Sequence, residues 1–331
     1  MLPIVSICIP VYNSSEWLSQ TILSAINQSY KNIEIIIVDD GSTDNSWNII
    51  EEYQKKFPEI IKAIRQENKG ACSARNKALS VSNGHYIQWL DSDDLLDKYK
   101  IESQLEVVKF VKDTEILLSC SFAKFYEDIS KTRFIPNSLW QDLSPENWLQ
   151  LHLKDNSVIY PHCWLVNRRI TEKAGTWNEN ILLNQDGEYF SRVVASSKFV
   201  KFVPEAKCYY RTGNLSSISN NKSKRKIVSL INANLEIVNN ALNFNNNESM
   251  KTACRIFLQN FYSKLLFEDD EIPEIHSLKK KILSLDGNIP QKMESFRFFI
   301  MRKILGLKLA RTLKLFFWSM EIRINKLLNK I

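Results

Sequence analysis

The chain has 331 residues, 44% of them hydrophobic, and a formal charge of +7, so it can bury a large core in one large or two modest domains and is too apolar to be disordered. Ten Lys or Arg against two acidic residues fall in 291–331, which leaves the preceding 290 residues at about −1; the excess is one basic tail rather than a binding groove, and nucleic acid drops out as a partner. Six cysteines (Cys8, Cys72, Cys120, Cys163, Cys208, Cys254) lie far apart with no Cys-x-x-Cys pair and no clustered histidines, which predicts reduced, buried thiols of a cytosolic protein and no zinc site.

The N-terminus has no basic leader and its apolar run is broken by Pro10 and Asn13, so residues 3–10 read as a first strand rather than a signal peptide. No run of 18 apolar residues predicts a membrane span. Ser14 or Ser15 marks a helix start, and Leu18, Ile22, Ala25 and Ile26 follow at helical spacing. Residues 33–38 form a continuous apolar run, expected of a strand buried on both faces; Asp39-Asp40-Gly41-Ser42-Thr43-Asp44 closes it, with Asp44 capping a helix to about Lys56. A third strand at 60–64, the loop Glu67-Asn68-Lys69-Gly70 and a helix over 71–81 come next, and then a fourth strand that runs directly into Asp91, Asp93 and Asp94. This alternation predicts an α/β fold with a mostly parallel sheet flanked by helices. The loops at the carboxyl ends of its strands place Tyr12, Asp39, Asp40, Asn68, Gly70 and the Asp91 cluster on one rim, where such sheets bind ligands.

Three carboxylates among four residues at a strand end are more than a turn requires. In an extended backbone Asp91 and Asp93 point the same way and can converge on a hard cation. Neither a GxxxxGK[ST] nor a GxGxxG loop is present, so a diphosphate bound here needs Mg²⁺ or Mn²⁺ to offset its charge. Further along, a helix is expected at 98–112, a strand at 115–122 and an irregular middle around Trp140, Trp148 and Trp164. Residues 183–188 precede a helix through 194, two short strands fall at 198–203 and 208–210, and the Asn-rich 239–247 separates helices that begin at about 221. In the tail, Leu309, Leu313, Phe316, Phe317 and Met320 share one helical face and Lys308, Arg311 and Lys326 the other. That pattern suits either an anionic membrane surface or packing against the domain or a partner.

Pro10-Val11-Tyr12-Asn13, the run 34–44 (EIIIVDDGSTD), Asn68-Lys69-Gly70 with Ala74-Arg75-Asn76, and Gly84-x-Tyr86-Ile87-x-x-Leu90-Asp91-x-Asp93-Asp94 together resemble, in order and spacing, the family 2 glycosyltransferases of the GT-A fold. The resemblance implies a transferase domain over 1–220, with a nucleotide-sugar half at 1–112 and an acceptor half at 113–220, followed by a helical region at 221–331. It also implies an inverting, metal-dependent enzyme of bacterial surface polysaccharide synthesis. Such an enzyme moves a sugar from a nucleotide-sugar, usually a UDP-sugar, to a hydroxyl of a glycan or lipid-linked acceptor, in the cytoplasm or at the inner face of the plasma membrane.

Carried onto this chain, the resemblance has Tyr12 and Asp40 hold the uracil and Pro10 and Val11 line its pocket. Asp91 faces the ribose or assists the metal, and Asp93 ligates Mn²⁺ or Mg²⁺. Arg75 lies near the phosphates or serves as a packed salt bridge, and Arg211 stands where relatives place a basic residue near the donor. Inversion needs one base for the acceptor proton; the matching position is Asp186, although the acidic residue that usually precedes it is Gln185 here. The absence of a Gln-x-x-Arg-Trp motif implies one sugar per encounter. His152 and His162 read as structural. Two other readings fit less well: a sugar nucleotidyltransferase opens with a Gly-rich, Arg-containing loop, and a binding or scaffold protein without turnover does not need both acidic clusters intact.

Overall fold

The structure, a computed structural model, describes residues 2–109, 115–213, 223–265 and 272–290. The tail 291–331, with its expected amphipathic helix, lies outside the described residues. Two compact units divide the chain at Met1–Phe257 and Leu258–Ile331.

The first unit begins with strand and helix in strict alternation: β1 (Val5–Val11), α1 (Leu18–Ile26), β2 (Ile33–Asp39), α2 (Ser46–Lys56), β3 (Ile61–Arg65), α3 (Ala71–Ser80) and β4 (Tyr86–Trp89). It continues through β5 (Leu95–Leu96), α4 (Lys100–Glu106), β6 (Ile116–Phe125), α5 (Pro145–Asp155), β7 (Val166–Asn167), α6 (Arg168–Ala174), α7 (Gln185–Ala195), β8 (Phe199–Arg211) and α8 (Lys224–Phe244). In β2, Ile35, Ile36, Ile37 and Val38 are all fully buried, as a parallel strand covered by helices on both faces requires. The main sheet has the order β3-β2-β1-β4-β7, with β1 to β4 parallel and β7 antiparallel at the edge. A second sheet, β5-β8-β6, pairs β8 parallel to β6 and antiparallel to β5. The order reverses between β1 and β4, so the chain leaving these neighbours diverges and opens a crevice at their carboxyl ends.

Three expectations change. Ser14 and Ser15 do not start α1, because their amides reach across to Ser46 Oγ (2.9 Å) and Asp44 Oδ2 (3.0 Å), and the helix begins at Leu18. The two short strands at 198–203 and 208–210 are one strand, β8. Its register against β6 jumps where Cys120 pairs with Val203 and Ser121 with Lys207, and Pro204, which has no N–H for the ladder, falls in the skipped stretch. The middle is less irregular than its pattern suggested: Ser144 accepts from Asn147 N (3.2 Å) and Pro145 occupies the first turn of α5.

In the second unit α10 (Pro273–Ser284) buries Ile275, Leu278 and Ile282, and the helix α9 (Glu248–Lys264) crosses the division of the chain. Among the described residues no helix is long and apolar enough to cross a membrane.

Gly41 shows how tightly the loop after β2 is folded. Its φ is +73°, and a Cβ there would stand 2.9 Å from the backbone nitrogen of Asn68. Gly41→Ala combines left-handed strain with that overlap and is expected to cost about 1–3 kcal/mol. It should lower the urea midpoint without changing the slope of the transition.

Candidate active site

A cavity of about 550 Å³ fills the crevice beyond β1 and β4, and Pro10, Val11, Tyr12, Asp40, Arg75, Asp91, Asp93 and Asp186 all line it. Eight of the nine residues singled out from sequence thus come together. The ninth, Arg211, lies behind the acidic loop and is not among the lining residues. Its Nε donates to the Asp93 carbonyl (2.8 Å), Nη1 to the Tyr126 carbonyl (3.0 Å) and Nη2 to Gln20 Oε1 (2.7 Å). The rings of Trp17 and Phe125 lie 4.1 Å and 4.3 Å from its guanidinium carbon. Arg211 therefore holds the backbone that carries Asp93.

The two aspartates that close β2 differ in role. Asp39 is fully buried, takes Ser42 N (3.2 Å) and faces Arg65 Nε at 3.2 Å, an internal brace for the loop. Asp40 accepts from the amides of Lys69 (2.9 Å) and Gly70 (2.8 Å) and from Gln66 Nε2 (2.8 Å), so the loop before α3 presents its N–H groups to one carboxylate. Gly70, at φ +95°, gives that loop the backbone it needs. Tyr12, at the end of β1, leaves 46% of its surface exposed beside the cavity.

The acidic cluster is not the extended strand end that period-two reasoning assumed. β4 stops at Trp89, and Asp91 to Asp94 form a turn closed by Asp94 N donating to the Asp91 carbonyl at 3.1 Å. The carbonyls of Ser92 and Asp94 both accept from Thr21 Oγ1 (3.0 and 2.9 Å), satisfying backbone groups that a strand would have paired. The turn sends the Asp91 and Asp94 carboxylates in different directions. Asp91 Oδ1 takes Arg75 Nη2 at 2.7 Å. Asp94 turns inward, where its carboxylate accepts from Arg211 N (2.8 Å) and stands 2.8 Å from His162 Nδ1. Burial raises the Asp94 pKa, and for His162 the lowering by burial is outweighed by that carboxylate, which raises it.

Arg75 is the link across the cavity. Its Nη1 donates to Gln185 Oε1 (3.1 Å) at the start of α7, and its guanidinium lies 4.4 Å from the centre of the Trp177 ring. Burial alone would lower its pKa, but the Asp91 carboxylate more than compensates and the group stays charged. Asp186, in the first turn of α7, is half-buried; desolvation pushes its pKa up, Arg75 pulls it down and Asp91 pushes it further up, for a net rise. The loop before α7 is fixed from α8, as Leu182 N donates to Ser229 Oγ (2.6 Å) and Asn184, at φ +59°, reaches Asn234 Oδ1 (3.3 Å).

Sequence reasoning missed Tyr160 as a wall residue. It stacks on Tyr210 with centroids 3.9 Å apart and planes at 11°, and both rings line the cavity. Burial pushes Tyr160 up to about 12 and Tyr210 higher still, so both are neutral phenols. The Tyr209-Tyr210 pair before Arg211 was a visible signal; Tyr160, alone in a loop before Pro161, gave none.

Residues 6–175 match the family described as glycosyl transferase family 2, and the chain belongs to it. The fold agrees: the crystal structure of S. aureus TarS 1–349 in complex with UDP-GlcNAc superposes with a TM-score of 0.68 over 96% of this chain and 92% of that one, at 16% identity. The architecture is thus of the GT-A type. Among curated proteins, an uncharacterized glycosyltransferase of Haemophilus influenzae is 46% identical over 104 residues, 31% of this chain and 42% of its own length. The minor teichoic acid biosynthesis protein GgaB of Bacillus subtilis is 29% identical over 208 residues, 62% of this chain and 23% of its own length. The chain spans less than half the length of either curated relative.

Arg75→Ala removes the charged partner of Asp91, the Gln185 contact and the stack on Trp177. A loss of about 2–3 kcal/mol in unfolding free energy is expected from the charged hydrogen bond and the cation–π contact together, measured by denaturant titration.

Proposed function

We propose that this chain moves a single sugar, with inversion, from a UDP-sugar to a hydroxyl of a glycan or lipid-linked acceptor in the synthesis of a bacterial surface polysaccharide. The observation that carries this reading is the sharing of one cavity by Tyr12, Asp40, Arg75, Asp91 and Asp93 with Asp186 from α7. The exposed Tyr12 ring would stack on uracil. Asp40 has about four acceptor sites, and three protein donors leave room for one N–H of the base. UDP-GlcNAc is the donor we favour, since the S. aureus TarS structure holds it and shares this fold; GgaB, named for teichoic acid biosynthesis, supports a cell-surface polymer as the product.

Asp91 and Asp93 supply hard carboxylate oxygens on the cavity wall, a donor set that suits Mn²⁺ or Mg²⁺. Such an ion, when bound, offsets the diphosphate charge and makes the nucleotide a better leaving group. Asp186 as a carboxylate takes the acceptor hydroxyl proton while that oxygen bonds to the anomeric carbon and the bond to the phosphate oxygen breaks on the opposite face. A base with a raised pKa gives a stronger drive for that transfer, provided it is ionised at working pH. The stacked Tyr160 and Tyr210 offer a flat apolar surface to a sugar ring. The sequence of 291–331, basic and apolar residues alternating at helical spacing, supports action at the inner membrane face; deletion of that segment should abolish binding to anionic vesicles.

Thermal unfolding with UDP, GDP or dTDP, each with and without Mn²⁺, tests the donor class. A ligand at about 100 times its Kd adds about 2.7 kcal/mol, which raises Tm by a few degrees for a chain of this size. The rise is expected with UDP plus Mn²⁺ and not with Asp93→Ala; no rise with any nucleotide would sink the reading.

Asp186→Asn is expected to abolish turnover and to stabilise the fold at neutral pH. The folded state raises this carboxyl, so its ionisation opposes folding as pH rises from the ordinary carboxylate range through the raised value, and the gain in the Asn variant should vanish in acid. Turnover at the wild-type rate would place the base elsewhere.

A further inference from the structure

Behind the cavity wall lies a second cluster with its own chemistry. Cys120 from β6, Cys163 from the turn after Tyr160 and Cys208 from β8 are each fully buried. Cys208 Sγ is 3.7 Å from Cys120 Sγ and 3.3 Å from Cys163 Sγ, and all three sulfurs lie within 4.8 Å of one another. Thiolates sharing one tetrahedral zinc ion, with Zn–S of about 2.3 Å, stand about 3.8 Å apart. The sulfurs therefore already approximate one face of a coordination tetrahedron.

One neighbour favours a cation there. Lys100 is fully buried, donates to Gln88 Oε1 and to the Trp164 carbonyl (3.1 Å), and interacts electrostatically with all three thiols. Three thiolates around a divalent ion carry one net negative charge, and Lys100 as an ammonium would bring the buried group to zero, which a low-dielectric interior favours.

We propose that Cys120, Cys163 and Cys208 bind a thiophilic d¹⁰ cation, Zn²⁺ foremost, with the three thiolates as its protein ligands. Binding replaces three S–H protons, released to solvent, with three metal–sulfur bonds. Sulfur donors select against the hard ions that suit Asp91 and Asp93, so the two sites take different metals. The ion would join β6, the 161–163 turn and β8 immediately behind Tyr160, Asp94 and Tyr210, and so fix that wall of the cavity.

The test is elemental analysis of the full chain produced in zinc-supplemented medium and purified without chelator or metal resin. About one zinc per chain is expected, lost in the Cys163→Ala, Cys208→Ala double variant. Because that variant could fail to fold, the wild type is also unfolded, stripped with a chelator and refolded with Cd²⁺. A sulfur-to-cadmium charge-transfer absorption saturating near one ion per chain, displaced by Zn²⁺ and not by Mn²⁺, upholds the site. Copper in place of zinc, with the same dependence on the cysteines, also upholds it. Wild type that carries no thiophilic metal and shows no cadmium–thiolate absorption overturns it.

Discussion

A buried guanidinium has to be satisfied where it lies, and in this fold that requirement falls on Arg75. Its partners come from three parts of the chain that share no local sequence: Asp91 after β4, Gln185 at the head of α7 and the Trp177 ring. Trp177 is itself packed in parallel on Tyr189 at 3.9 Å and edge-on to Trp89, the last residue of β4. The end of β4 and the start of α7 are thus tied through one cation to a common aromatic core. This explains how residues 16 and 110 positions from Arg75 hold their places around one cavity. Gln185 is a neutral acceptor, so it completes the guanidinium without adding charge beside Asp186.

The acidic residues of the site show environment deciding chemistry. Asp39 braces a loop against Arg65, and Asp40 gathers the amides of Lys69 and Gly70. Asp91 is paired with Arg75, Asp94 faces His162, and Asp186 is left with a raised pKa because desolvation and Asp91 outweigh Arg75. One residue type serves as brace, receptor, ion-pair partner and candidate base according to which donors the fold brings within 3 Å or so.

The parts of the chain with the weakest sequence signal do much of the positioning. α8 bonds to the loop that carries Asn184 and to Ser191 on α7, and Arg211, between two aromatic rings, sets the turn that bears Asp93. Side chains that never touch the cavity fix its shape. Their identities carry no motif, because many residue pairs could have made the same contacts.

The strand-helix alternation, the burial of β2 on both faces and the placing of Tyr12, Asp40 and Asp91 on one rim were determined by the sequence alone, because periodicity and turn chemistry act over a few residues. So was family membership, since the motifs of the first hundred residues stand in a fixed order. Tertiary structure alone decided that Asp91 and Asp93 reach the cavity through a turn, that Arg211 acts from behind, that Tyr160 joins Tyr210, and that three distant cysteines meet. Those outcomes depend on the β4–β7 edge, the shifted register of β8 against β6 and the partners demanded by buried charges. They are contacts between segments far apart in the chain, and no local pattern of residues encodes them.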